Sequence, residues 1–149
     1  MTITRSIRAK VSIGLVAAGL VLGALAGAIG AQAAPKGPHL VVTPAAGLVN
    51  KQIVRVSGTG FKPHDAVYIV ECLRTATGQN GCDISGFVAK TINAKGQLPT
   101  IKFRVKTGAI ATGKCGTTKA NLNKCEVSVG NANGGDTASA PVVFKLPGT

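Results

Sequence analysis

The chain has 149 residues and a strong excess of basic side chains, 17 Lys and Arg against 5 Asp and Glu. It has no Trp, one Tyr and four Phe, so large apolar side chains for a core are scarce and a platform for stacking single-stranded nucleic acid is disfavoured. Five scattered acids and two His also leave few groups for acid–base catalysis.

Residues 1–33 are predicted to form a secretory signal peptide. Three basic residues precede a long apolar run, which ends in the A-x-A cleavage pattern of residues 31–33. The alternative is an uncleaved membrane anchor, since about 20 apolar residues can just span a bilayer. We expect cleavage, secretion to the cell exterior or cell wall, and a single mature domain over residues 34–149.

Short alternating runs, separated by Gly, Pro, Asn and Asp, follow the leader at the spacing of a β-sandwich. Seven strands are predicted, over residues 40–43, 52–57, 66–73, 86–92, 98–106, 125–129 and 141–146. The fifth alternates most clearly, with apolar residues on one face and basic residues on the other. No helical period of 3.6 occurs in this part. The fold class is therefore all-β, a seven-stranded antiparallel immunoglobulin-like β-sandwich.

Four cysteines follow the leader, and an even number in an exported chain indicates disulfides. Three pairings are possible. We favour two local disulfides, Cys72 with Cys82 and Cys115 with Cys125, because each pair lies in a short segment with turn residues between its cysteines. A zinc site is disfavoured, since no Cys-x-x-Cys occurs and both His are far from every cysteine.

Several sequence motifs occur in a fixed order along the domain. They are VTPAAGL at 42–48, VRVSGTGF at 54–61, a strand ending in Cys72, Cys82 ten positions later and Phe87 five beyond it. With the Ala-Pro start of the mature chain and VVF near its end, the pattern resembles the neocarzinostatin/macromomycin (enediyne antibiotic apoprotein) family across nearly the whole domain. Members are secreted actinobacterial β-sandwiches that hold a chromophore in a cleft and deliver it to DNA. The resemblance implies a non-enzymatic carrier of a small apolar chromophore, with antimicrobial action directed at DNA.

The resemblance also implies a ligand cleft with Phe87 as an aromatic wall and the Cys72–Cys82 bridge as its floor. The candidate ligand-binding residues are Cys72, Leu73, Arg74, Cys82, Phe87, Glu126 and Ser128. Arg74, Glu126 and Ser128 stand where a relative has Trp, Gln and Gly. The two charges favour a smaller or anionic aromatic ligand over an apolar polycycle, which would have to desolvate them. For Phe87, ordinary core packing is the alternative.

Positive charge is the second signal in the sequence. Loss of the leader leaves 14 Lys and Arg against 5 acids, a net charge of about +9. Lys102, Arg104 and Lys106 share one strand face, because alternate residues of a strand point the same way. This ridge predicts weak, non-specific binding of DNA or other polyanions, with a solvated surface as the alternative. The alternative function is a basic secreted or cell-surface interaction protein that keeps the fold without the chromophore.

No catalytic or metal-binding residues are predicted. His64 and Asp65 are adjacent, but they lie in a Lys-Pro-His-Asp turn, where neighbouring side chains point apart. An enzyme is therefore the least favoured of three hypotheses. We expect a monomer with no cofactor other than a possible non-covalent enediyne-type chromophore and no integral membrane partner.

Overall fold

The structure, a computed structural model, describes residues 37–75, 77–146 and 148, so the predicted signal peptide lies outside the described residues. Nine strands form, in chain order β1 His39–Thr43, β2 Ile53–Thr59, β3 Ala66–Leu73, β4 Val88–Thr91, β5 Leu98–Arg104, β6 Gly108–Ile110, β7 Gly113–Cys115, β8 Cys125–Gly130 and β9 Ala138–Val142. Three 3-10 turns, Gln79–Gly81, Ile84–Gly86 and Lys119–Asn121, lie in the connections. None of the helical segments in the described part of the chain has the length and hydrophobicity of a membrane span.

Two antiparallel sheets form the two layers of the domain. The small sheet has the order β1-β2-β5 and the large sheet the order β4-β3-β8-β9, while β6 and β7 form a separate hairpin. Alternate residues of each sheet point inward, which places Val56 opposite Ile101 and Ile69 opposite Val129 in register. These inward residues join one apolar core, as the alternation predicts. The predicted all-β sandwich is confirmed.

The strands differ from the prediction in number and in several boundaries. β6 and β7 have three residues each, too few to show an alternating pattern in the sequence. The last strand begins earlier than predicted and ends at Val142. The next residues leave the sheet, because the Val143 N–H donates to Ala45 O at 2.8 Å and the Phe144 N–H donates to Leu122 O at 2.9 Å. Phe144 lies beyond the end of β9, and its side chain is buried in the apolar core.

Both disulfides have the predicted local pairing. Cys72 of β3 is bonded to Cys82, just beyond the first 3-10 turn, and Cys115 of β7 is bonded to Cys125 of β8. The second bridge is fully buried in the core. The first bridge fixes the loop after β3 against the large sheet, and that loop forms one wall of the cleft described below.

Candidate ligand cleft

A cleft of about 920 Å³ lies on the outer face of the large sheet. Its floor follows from strand alternation: β3 points Val67, Ile69 and Glu71 into the core, so Tyr68, Val70 and Cys72 face outward. The neighbouring strand β8 adds its own outward residues, among them Glu126 and Ser128. Volumes of this size are typical of sites for drug-sized ligands.

Two loops wall the cleft. One is the segment after β3, which contributes Cys82, Ile84 and Phe87, and the other connects β8 to β9. Phe87 packs edge-to-face on Tyr68, with ring centroids 5.5 Å apart. Phe87 is 53% exposed and Ile84 is 67% exposed, so neither belongs to the core. Large apolar groups held open to solvent beside a concave surface are typical of ligand sites.

Five of the seven candidate ligand-binding residues line the cleft, namely Cys72, Cys82, Phe87, Glu126 and Ser128. Leu73 and Arg74 are not among the lining residues. Leu73 is the last residue of β3 and alternates to the other face, where its side chain lies against Gly113. Arg74 turns toward the next loop and donates from Nη1 to Asn123 O at 3.3 Å.

Several lining residues are not among those predicted from the sequence. Tyr68 and Val70 lie on the same strand face as Cys72, so their spacing of two was a usable signal. The β8–β9 loop carried no such signal, because its Asn, Ala and Gly residues are those of an ordinary turn.

A polar network holds the β8–β9 loop in place. Asn131 Nδ2–H donates to Asp65 Oδ2 at 2.7 Å, and the Gly135 N–H donates to Asn131 Oδ1 at 2.8 Å. The hydrogen bond from Asn131 is the main cause that lowers the pKa of Asp65. In addition, the backbone N–H of Lys62, in the Lys-Pro-His-Asp turn, donates to Asp136 Oδ2 of the β8–β9 loop at 2.8 Å. The carboxylate of Asp65, the neighbour of His64 in sequence, therefore helps to position one wall of the cleft.

Glu71 lies directly behind the cleft floor, on the core side of β3, and is 2% exposed. Its Oε2 accepts the Lys106 N–H at 2.8 Å, and burial raises the pKa of Glu71 to about 7. Its carboxylate lies near Cys115 and Cys125, close enough for a shared metal ligand set. Both sulfurs are in the disulfide, however, so neither is a thiolate ligand.

The predicted basic ridge is only partly assembled. Lys102 and Arg104 are exposed on β5. Lys106 lies beyond the end of that strand, and its Nζ forms an ion pair with Asp83 Oδ2 at 2.6 Å. Burial opposes ionisation of Asp83, but hydrogen bonds from Lys106 and Ser85 outweigh it and lower its pKa. Lys106 thus ties the cleft-wall loop to the domain.

In the structure, the basic residue that joins Lys102 and Arg104 is Arg55 of the neighbouring strand, not Lys106. Arg55 of β2 is exposed and lies directly opposite Lys102 in register. Strands β1, β2 and β5 contain no Asp or Glu. We call Arg55, Lys102 and Arg104 the basic face of the small sheet. Like charges directly opposite each other destabilise a sheet unless something of opposite charge relieves them.

Together, the fold and the cleft define the class of protein: a small disulfide-braced β-sandwich with a ligand-sized cleft on one sheet. Comparison with known proteins agrees, because residues 40–144 match the model of the Neocarzinostatin family. The chain is also 33% identical over 138 residues to macromomycin from Streptomyces macromomyceticus, covering 89% of this chain and 90% of that protein. The chain belongs to the neocarzinostatin family.

The solved structure of macromomycin shows the same likeness. The structure of macromomycin matches with a TM-score of 0.59 at 28% identity, over 73% of this chain and 100% of the other. The solution structure of apokedarcidin matches with a TM-score of 0.49 at 24% identity, over 72% of this chain and 97% of the other.

Proposed function

We propose that this protein is a secreted, non-enzymatic carrier that holds a small aromatic or apolar ligand in the cleft. The observation that carries the proposal is the cleft of about 920 Å³ with the exposed Tyr68 and Phe87 rings at its side. Membership of the neocarzinostatin family supports it, since the family resemblance implies chromophore carriers. Secretion is part of the proposal and rests on the predicted signal peptide. DNA-directed antimicrobial action would belong to the ligand, with the protein as its container.

The apolar groups of the cleft favour a ligand that has an apolar or aromatic surface to bury. Burying an aromatic ligand against two rings removes apolar surface from water and adds ring contacts of about 0.5–1.5 kcal/mol per aromatic pair. A rigid floor stapled by the Cys72–Cys82 bridge lowers the ordering cost of binding. A planar ligand smaller than the cleft therefore binds without rearrangement of the sheet.

The test is an NMR titration of the purified protein with a panel of uncharged aromatic compounds such as naphthalene derivatives. Amide shifts should concentrate at Phe87, Ser128 and Gly130, and Phe87→Ala should weaken binding about tenfold through lost ring contact. Ile53→Ala is the matched control, because Ile53 is 50% exposed but lies outside the cleft. Absence of shifts at the cleft for every compound would overturn the carrier proposal.

The basic face supports a second candidate function, a cell-surface or polyanion-binding protein. The observation that favours it is the Arg55–Lys102 pair, two cations in register on strands without an acid. A polyanion lying across this face would relieve their repulsion and release its own counterions.

Charge reversal separates this candidate from the carrier. The double variant Lys102→Glu, Arg104→Glu should weaken binding to a DNA duplex, and the slope of log affinity against log salt should fall by about two. Lys95→Glu with Lys119→Glu makes the same charge change on exposed residues elsewhere. If both double variants bind the duplex equally, the basic face is an ordinary solvated surface.

A further inference from the structure

The cleft has the opposite charge from the chain as a whole. The protein has 17 Lys and Arg against 5 acids, yet no Lys, Arg or His occurs among the described residues that line the cleft. Of those lining residues, Glu126 alone has a charged side chain. Arg74 was predicted from the sequence to be a ligand-binding residue, but its guanidinium donates to the backbone carbonyl of Asn123 instead.

Glu126 occupies a central place on the cleft floor. It lies on β8, an inner strand of the large sheet, with Cys72 of β3 and Pro141 of β9 as its cross-strand neighbours. Its side chain is half-buried, and Oε1 accepts the Ser128 Oγ–H at 3.2 Å. A carboxylate can accept about four hydrogen bonds, so it keeps room for donors from a ligand.

The aromatic side of the cleft is suited to the same kind of ligand. The rings of Tyr68 and Phe87 meet edge-to-face and remain partly exposed. Ring faces carry partial negative charge and attract ammonium groups as well as apolar surface. The carboxylate and the two rings thus provide one anchor for a cation and one for an apolar body within a single cleft.

We propose that the cleft selects ligands that join an aromatic or other apolar body to a positively charged amine. The ammonium group is held by Glu126, and the apolar body lies against Tyr68 and Phe87. This inference rests on the proposed carrier function and adds the chemical class of its ligand. It reverses the expectation of an anionic ligand, because the structure removes Arg74 from the cleft.

Three naphthalene probes of similar shape test whether the cleft selects a positive charge. They are the cation 2-naphthylmethylamine, the neutral 2-naphthylmethanol and the anion of 2-naphthylacetic acid. Their fluorescence is easily resolved because the protein has no Trp. Near 0.15 M salt the screening length is about 8 Å, so remote lysines contribute little. Amide shifts at Ser128 and Gly130 report occupancy of the cleft, so affinities fitted from these shifts do not count probe bound to the basic face.

The amine should bind about tenfold more tightly than the alcohol, as expected for one charge-assisted hydrogen bond, and the carboxylate should bind most weakly. In Glu126→Gln the ratio of amine to alcohol affinity should fall to about one. Thr100→Lys raises the net charge equally on an exposed residue outside the cleft and should keep the ratio.

The possible failures are distinguishable. Equal binding of amine and alcohol to the unaltered protein overturns the charge selection and leaves the carrier function standing. Loss of the preference in Thr100→Lys also overturns it, since net charge would then be the cause. If no probe shifts the cleft amides at millimolar concentration, the carrier function fails and this inference fails with it.

Discussion

Replacing Glu71 by Gln should remove a pH dependence of stability that arises from one buried carboxyl group. Burial raises the pKa of Glu71 from 4.5 to about 7 in the folded protein. Between these values the folded state holds the proton that the unfolded state has already released. The stability of the protein therefore falls as pH rises through this window, and the loss is complete above pH 7.

The size of the effect follows from the two pKa values. Each pH unit between them corresponds to about 1.4 kcal/mol, so the ionised Glu71 lowers the free energy of unfolding by about 3 kcal/mol. About 2.5 kcal/mol of this loss occurs between pH 5 and pH 8. Glutamine keeps an oxygen that can accept the Lys106 N–H but has no proton to lose.

Urea unfolding at pH 5, 6, 7 and 8, followed by far-ultraviolet circular dichroism with the disulfides intact, measures the effect. The difference between the unaltered protein and Glu71→Gln cancels the contributions of titrating groups that do not interact with Glu71. The curves should diverge as pH rises, with Glu71→Gln losing about 2.5 kcal/mol less by pH 8. Parallel curves across this range would refute the assignment of a raised pKa to Glu71.

Two further predictions concern a glycine and the disulfides. Gly116→Ala should destabilise the protein by about 1–3 kcal/mol more than Gly134→Ala in urea unfolding. Both glycines have a positive φ, but a Cβ on Gly116 would lie 2.5 Å from Thr107 Cγ2 and 2.8 Å from Phe144 Cγ, whereas Gly134 has open space. Equal losses would show that both side chains move aside freely. Under mild dithiothreitol, alkylation should reach the cleft-side Cys72–Cys82 bridge before the fully buried second disulfide. Peptide mapping checks the order, and the reverse order would contradict the burial argument.

The sequence by itself determined the class of fold and much of the cleft floor. Strand alternation depends only on local geometry, so Ile101 and Phe103 could be assigned to the core and Lys102 and Arg104 to the surface without the structure. The same rule places Tyr68 beside Cys72 on the cleft face. The pairing of neighbouring cysteines was equally local.

Only the tertiary structure decided which charges surround the cleft. The direction of Arg74 depends on where the chain turns after β3, and the burial of Glu71 depends on the segment after β5 that folds over it. Lys106 continues the alternation of β5 in sequence, yet it pairs with Asp83, which a disulfide-fixed loop brings to it from the large sheet. These contacts join residues far apart in the chain, and periodicity within one strand contains no information about them.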